Sequence, residues 1–246
     1  MPGLFCALSA ILLTAPLSLG GMSYVLTDLG VLPGAGNANP AAINDAGQVV
    51  GTSEGYVNHV FLYSDGSMQE IPTPAGTNST ASGINASGQV VGDYLISGSG
   101  PPTHAFLYSG GSMQDLGTLG GAFSSARAIN DAGQIVGSAS LPGGVASHAF
   151  LYSGGSMHDL GTLGGTSSSA FAINGIGQVV GDSLLADNLT EDMFLYTGGA
   201  MVDLGNLGMP GGQALGINDA GVVVGYSWTP LMRSTPSSTP VARCTT

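Results

Sequence analysis

Ile43-Asn44-Asp45-Ala46-Gly47-Gln48-Val49-Val50-Gly51 sets a pattern that returns at Ile84–Gly92, Ile129–Gly137, Ile173–Gly181 and Ile217–Gly225. The Asn-to-Asn steps are 41, 45, 44 and 44 residues. A period of ~40–50 residues, built from short apolar runs and glycine-rich turns, signals a β-repeat architecture. Three further elements keep the same period. One is Phe-Leu-Tyr, starting at Phe61, Phe106, Phe150 and Phe194. Another is Met-x-Asp-Leu-Gly, clearest at Met113–Gly117, Met157–Gly161 and Met201–Gly205, and the last ends in Ala-Ile-Asn, as at Ala128-Ile129-Asn130. Short length and β-branched or aromatic content predict that each is a strand.

The connections decide how these strands pair. Asn-Asp-Ala-Gly can form a type I turn with glycine in the left-handed position of a bulge, and Ser-Gly-Gly after Phe-Leu-Tyr does similar work. Both are short enough only for antiparallel hairpins, which places a parallel β-helix second. Val49 and Val50, or Ile135 and Val136, are adjacent and point to opposite faces, yet both are apolar. Sheets buried on both faces are what stacked blades require. The chain enters mid-unit, at Tyr24–Gly30, and leaves the repeat after Gly225. There are five copies of three elements but four of Phe-Leu-Tyr. The expected fold is therefore all-β and antiparallel, a five-unit β-propeller with one incomplete blade spanning residues 21–228.

Of 246 residues 42 are Gly, 15 are acidic and three are Arg, with no Lys, giving a net charge of −12. Phosphate binding needs clustered cations to displace counterions, so nucleic acid is excluded as an expected partner, and anionic membrane surfaces are disfavoured for the same reason. Residues 4–19 are almost wholly apolar, and Ser18-Leu19-Gly20 offers small residues to a signal peptidase. Residues 1–20 thus read as a secretory signal peptide, although no Lys or Arg precedes the apolar run. A 16-residue run falls short of the ~20 needed to span a bilayer, so no stable membrane span is expected after its removal. Cys6 lies in the leader and Cys244 in a Ser/Thr/Pro-rich tail, residues 229–246, which predicts disorder there and no disulfide framework.

His104-Ala105-Phe106, Asp-Leu-Gly-Thr-Leu-Gly-Gly and Ala-Ile-Asn-Asp-Ala-Gly-Gln-Ile-Val-Gly together resemble the HAF-repeat family, bacterial extracellular repeats named for the His-Ala-Phe triplet. His148-Ala149-Phe150 matches fully, His59-Val60-Phe61 in part, and Asp192-Met193-Phe194 keeps only the Phe. The resemblance covers about residues 24 to 228 and implies an exported β-repeat protein. It implies no activity.

Several polar sets recur with the period. His59, His104, His148 and Asp192 occupy one repeat position; were their strand innermost, they would ring a central channel with a donor set suited to a zinc-like ion. The alternative is that each caps a turn or bonds within its own blade, with no cofactor. Asp45, Asp131 and Asp219 superficially suggest a calcium loop, but sister copies carry Ala86 and Gly175, and the persistent Asn-x-x-Gly is turn chemistry. Asp28, Asp115, Asp159 and Asp203 could flank a glycosidic bond, but repeated carboxylates have matching environments, whereas catalysis separates acid from base. No catalytic set stands apart from the repeat. The function this predicts is a non-catalytic, secreted scaffold or binding module that contacts an extracellular glycan or protein through blade-connecting loops such as Ser138–Ser147 and Asp182–Glu191. The alternative is a glycan-active hydrolase or lyase using channel carboxylates or a His-bound metal. Truncation at Ser227 is expected to leave the melting temperature nearly unchanged, as measured by thermal unfolding; a large drop would mean that the tail contributes a strand.

Overall fold

The computed structural model of the chain describes residues 11–14, 25–74, 77–96 and 102–228, and the regular structure in them is all β. Strands β1 (Ile11–Thr14) and β2 (Val25–Asp28) form an antiparallel pair. The first complete unit holds β3 (Asn37–Ile43), β4 (Val49–Glu54), β5 (His59–Ser64) and β6 (Ser67–Glu70). The second holds β7 (Ser79–Ile84), β8 (Val90–Leu95), β9 (Thr103–Ser109) and β10 (Ser112–Asp115). The third holds β11 (Ser124–Ile129), β12 (Ile135–Ser140), β13 (Ser147–Ser153) and β14 (Ser156–Asp159). The fourth holds β15 (Gly164–Ile173), β16 (Val179–Leu185), β17 (Glu191–Thr197) and β18 (Ala200–Gly205), and the fifth only β19 (Gly211–Ile217) and β20 (Val223–Trp228). Each complete unit is an antiparallel meander in chain order. Single parallel bridges, Ser147 to Ser167 and Glu191 to Gly211, join the third unit to the fourth and the fourth to the fifth. No helix in the described residues is long and apolar enough to cross a membrane.

Local chemistry fixes the hairpins. Between third and fourth strands, Gly110-Gly111, Gly154-Gly155 and Gly198-Gly199 have positive φ at both positions, the signature of a type I′ turn, and Asp65-Gly66 does the same. A second device sits in the middle of every unit. The first strand carries a register shift, as between Ala126 and Ala128, opposite the glycine of Gln-Val-Val-Gly. A Cβ on Gly137 would lie 1.9 Å from the Ser125 carbonyl oxygen and 3.0 Å from the Phe150 ring. Gly51, Gly92 and Gly181 meet the same two obstacles, with Phe61, Phe106 and Phe194 as the ring. The Phe of Phe-Leu-Tyr thus lies against a backbone that only glycine leaves bare.

The core lies between units. Val90 packs with Val50, Val60, Ile71 and Phe106, while its neighbour Val91 packs with Ala105, Leu116, Ala126, Ile135 and Phe150. Ile135 and Val136, and then Val179 and Val180, are divided between successive cores in the same way. The leucine after the Asp of each Asp-Leu-Gly, Leu116 or Leu160, enters the core with the following unit. First strands lie against first strands of the next unit, whereas the fourth strands make their extensive contacts with their own third strand. The Phe-Leu-Tyr strand is therefore third from the shared inner side, and the histidines that open it do not line that side. This removes the condition on which a channel ring of His59, His104, His148 and Asp192 depended.

Trp228 belongs to β20, opposite Gly211, where an added Cβ would meet its indole ring. A truncation that keeps β20 whole therefore falls after Trp228 rather than at Ser227; the tail beyond it, and residues 1–10 and 15–24, which include most of the leader, lie outside the described residues. Gly137→Ala is expected to destabilise by more than ~3 kcal/mol and Phe150→Ala by ~3–5 kcal/mol in urea unfolding. Gly36→Ala, where the nearest atom is 3.8 Å away, should cost under ~1 kcal/mol. Equal losses at Gly36 and Gly137 would contradict the packing argument.

Candidate functional site

The two ends of the stack are built differently. At one end lie the Asn-x-x-Gly and type I′ turns, nearly identical from unit to unit. The Asn side chains form a ladder there. Asn44 Nδ2 donates to the Asn85 carbonyl at 3.0 Å, Asn85 to Asn130 at 3.1 Å, Asn130 to Asn174 at 3.0 Å and Asn174 to Asn218 at 3.1 Å. Each of these four Nδ2 groups also donates to the Gln four residues on, as Asn130 does to Gln134 Oε1 at 2.8 Å. The Oδ1 atoms accept the amide of residue i+4. In the fifth unit Val222 replaces that Gln. The turn reading of Asn-x-x-Gly therefore holds, with a second duty between units that the spacing alone does not reveal.

The aspartates of these turns have a comparable explanation. Asp131 Oδ1 accepts the Ala86 amide at 2.8 Å and Asp219 Oδ1 the Gly175 amide at 2.7 Å, each reaching back one unit. Small residues in the even units leave room for the carboxylate: a Cβ on Gly175 would stand 3.1 Å from Asp219 Oδ1. The alternation of acid and small residue is interlocking between turns.

At the opposite end the connectors differ in length and sequence, and the His position falls there. His104 Nδ1 lies 2.8 Å from Asp115 Oδ2, and His148 Nδ1 2.9 Å from Asp159 Oδ1. His59 Nδ1 approaches Glu70 Oε1 to 2.8 Å but without hydrogen-bond alignment. Asp28, Asp115, Asp159 and Asp203 each accept the amide two residues on, closing the Asp-Leu-Gly turn. Burial alone would raise the Asp115 pKa; the Gly117 amide, His104 and Tyr94 outweigh it and hold it below the ordinary value. Burial, then the Asp115 charge, pushes the Tyr94 hydroxyl up to about 12. In the fourth unit Asp192 takes the place of His, and burial followed by neighbouring Asp203 raises its pKa. The structure thus gives each of His59, His104 and His148 a carboxylate of its own unit and leaves Asp192 beside another acid. Among the described residues no group of three or more His, Cys, Asp or Glu side chains stands close enough to hold a metal ion.

One polar row was missed in the sequence because it has no motif. On the inner pair of strands, Thr80 faces Asp93, Ser125 faces Ser138, Ser169 faces Asp182 and Gln213 faces Tyr226. Here one repeat position varies between hydroxyl, carboxyl and aromatic side chains (Thr52, Asp93, Ser138, Asp182 and Tyr226), a signal readable by aligning the residue after each Val-Gly. Thr80 donates to Asp93, and the Tyr226 hydroxyl donates to Gln213 Oε1 at 2.7 Å. Burial raises the pKa of Asp93, while Thr80 and Arg127 oppose the rise. Asp182 is 3% exposed; burial first and the Glu191 carboxylate second push its pKa up to about 7, against a hydrogen bond from Gln213 and the charge of Arg127.

Close to the first unit's connectors, an open hollow of about 250 Å³ is lined by Leu32, Pro33, Ala35, Tyr56, His59 and Glu70. Tyr56 is wholly exposed, and Ile96, Val145 and Leu189 are exposed apolar residues in the equivalent connectors of the next three units.

No protein-family model and no curated protein matches the chain. Among solved structures it is similar to TolB from Acinetobacter baumannii, with a TM-score of 0.52 and 15% identity over 77% of this chain and 51% of that one. This chain thus spans about half of that protein's length. The likeness concerns fold alone, and it supports an antiparallel, propeller-like all-β architecture.

Asn130→Ala should cost ~2–3 kcal/mol in urea unfolding, because it strips partners from a buried carbonyl and amide, and Asn218→Ala, at the ladder's end, about half as much. Equal losses would contradict the ladder. Asp182 yields a pH test. Its folded value lies above the ordinary 3.8, so between pH 3.8 and about 7 the folded chain keeps a proton that the unfolded chain releases, and stability falls as pH rises through that window. Asp182→Asn should therefore gain on the natural chain between pH 4 and pH 8, by on the order of 3 kcal/mol in chemical unfolding. A pH-independent difference would refute this.

Proposed function

We propose that this protein is a non-catalytic extracellular scaffold or binding module, a five-unit propeller whose variable end contacts a glycan or another protein. The observation that carries the reading is the division of the two ends. Tight repeated turns occupy one, while the other presents Tyr56, Ile96, Val145 and Leu189 from equivalent connectors. Exposed apolar residues collected on loops of a rigid scaffold are a usual basis for recognition. The hollow beside Tyr56, with His59 and Glu70 at its wall, suits a ring-shaped polar ligand that stacks on an aromatic face. The apolar leader and the resemblance to HAF repeats support an extracellular location. A glycan-active hydrolase or lyase has less to draw on: Asp182, whose carboxyl pKa is pushed up to about 7, is buried, and His104 and His148 are engaged by carboxylates.

A glycan array combined with a hydrolysis screen and metal analysis on the purified protein tests this. Binding without turnover is expected, weakened at least ~10-fold by Tyr56→Ala with unchanged stability. Turnover, or stoichiometric metal that disappears in a His104→Ala, His148→Ala double variant, would replace the binding-module reading with the enzymatic one.

A further inference from the structure

The fifth unit is unfinished along one edge. Among the described residues β20 pairs with β19 alone, whereas β4, β8, β12 and β16 are paired along both edges. Val224 is 60% exposed, while its counterparts Val50, Val91, Val136 and Val180 are completely buried. Gly225 is pressed against the Gln213 carbonyl as Gly51, Gly92, Gly137 and Gly181 are against theirs, but only those four also face a phenylalanine ring.

The core beneath that edge lacks a definite set of side chains. Between the third and fourth units, Val136, Ala149, Leu160, Ala170 and Val179 share their core with Phe194, Tyr196 and Met201. Between the fourth and fifth, the first five recur as Val180, Met193, Leu204, Ala214 and Val223, and among the described residues the last three have no counterpart. Phe194 and Tyr196 belong to β17 and Met201 to β18. What is missing is therefore one third strand and one fourth strand, a single β-hairpin. Val223 is left half-buried, whereas Val179 is completely buried.

The four complete units define what fits there. In the third, Ile135 stands opposite Tyr152, Val136 opposite Leu151, Gly137 opposite Phe150 and Ser138 opposite Ala149. The other three keep the same register. Transferred to β20, it sets Phe opposite Gly225, Leu opposite Val224, Tyr opposite Val223 and an apolar residue opposite Tyr226. The hairpins that begin with Phe61, Phe106, Phe150 and Phe194 each complete their own unit. The one other aromatic pair at that spacing, Tyr226 and Trp228, lies in β20 itself.

We propose that the open edge of β20 is a docking site for a β-hairpin of a partner polypeptide, with Ala-Phe-Leu-Tyr in its first strand and Met in its second. Unpaired backbone groups along residues 223–228 give the affinity, and the places that Phe194, Tyr196 and Met201 fill one unit earlier give the selectivity, as in other cases of strand addition. The partner's Phe covers Gly225, where no Cβ intervenes. The proposal rests on the repeat register and is independent of ligand binding at the connector end.

The probe is a labelled synthetic peptide with the sequence of residues 147–160, titrated into the full chain and followed by fluorescence anisotropy. Saturable one-to-one binding on the order of micromolar is expected, with amide exchange of residues 223–228 slowed at least ~10-fold. Phe150→Ala in the peptide should weaken binding at least ~10-fold. Val224→Asp in the protein should do the same, because it sets a charge opposite the peptide's leucine at a position that the free chain leaves exposed. Ile176→Asp, at an exposed turn of the fourth unit, should leave binding unchanged. Register is read by disulfide formation in a chain with Cys6→Ser, Cys244→Ser and Val224→Cys. A peptide with Leu151→Cys should link ~10-fold faster than one with Tyr152→Cys, since a one-residue step turns the side chain to the other face. No binding to a protein that still melts cooperatively, or binding indifferent to Val224→Asp, would overturn the proposal. Protection that falls elsewhere than residues 223–228 would also overturn it. Self-association of the free chain that Val224→Asp abolishes would overturn it in favour of a second copy at that edge.

Discussion

Everything in this molecule depends on adjacent apolar residues in the second strand of each unit being committed to different cores. Val90 belongs with the unit before and Val91 with the unit after. A sheet with both faces apolar has no stable existence alone, because one face would stay in water whichever way it packed. Each unit therefore needs two neighbours, and a repeat of this kind gains its stability chiefly at interfaces, as in other quasi-one-dimensional arrays. The Asn ladder adds direction: each side chain reaches the carbonyl of the next unit, so polar links at the turn end, together with those at the connector end, flank the apolar packing through the middle.

Much of this was legible in the sequence, and particular residues show why. Val-Val and Ile-Val at fixed period can only mean two-sided burial once short turns enforce antiparallel hairpins, so element order and pairing followed from local chemistry. The strand nearest the shared inner side was not legible. His104 could be read as a channel residue or as a group that caps a turn or bonds within its own blade until the third and fourth strands are placed away from that side, where it meets Asp115. The inter-unit role of Asn130 was hidden because its own turn already accounts for the residue. The polar row through Asp93 and Asp182 was not legible for the opposite reason: no motif marks the position, whose residue varies among Thr52, Asp93, Ser138, Asp182 and Tyr226.

The same division organises what the molecule can do. The turn end is consumed by interlocking, with Asp131 and Asp219 accepting amides of the preceding unit. The connector end also joins units, through the bridges Ser147 to Ser167 and Glu191 to Gly211. The Ala105 and Ala149 amides there donate to Ser124 and Ser168 of the next unit, but the loops of this end vary in sequence and exposure.

The central claim is that a unit has no core of its own. The direct measurement is a single excised unit, residues 122–161, followed by circular dichroism and amide proton dispersion across a thermal scan. The account predicts an unfolded peptide with no cooperative transition, although all four strands and both hairpin turns are present. A folded peptide with dispersed amides and a sharp melting transition would contradict it.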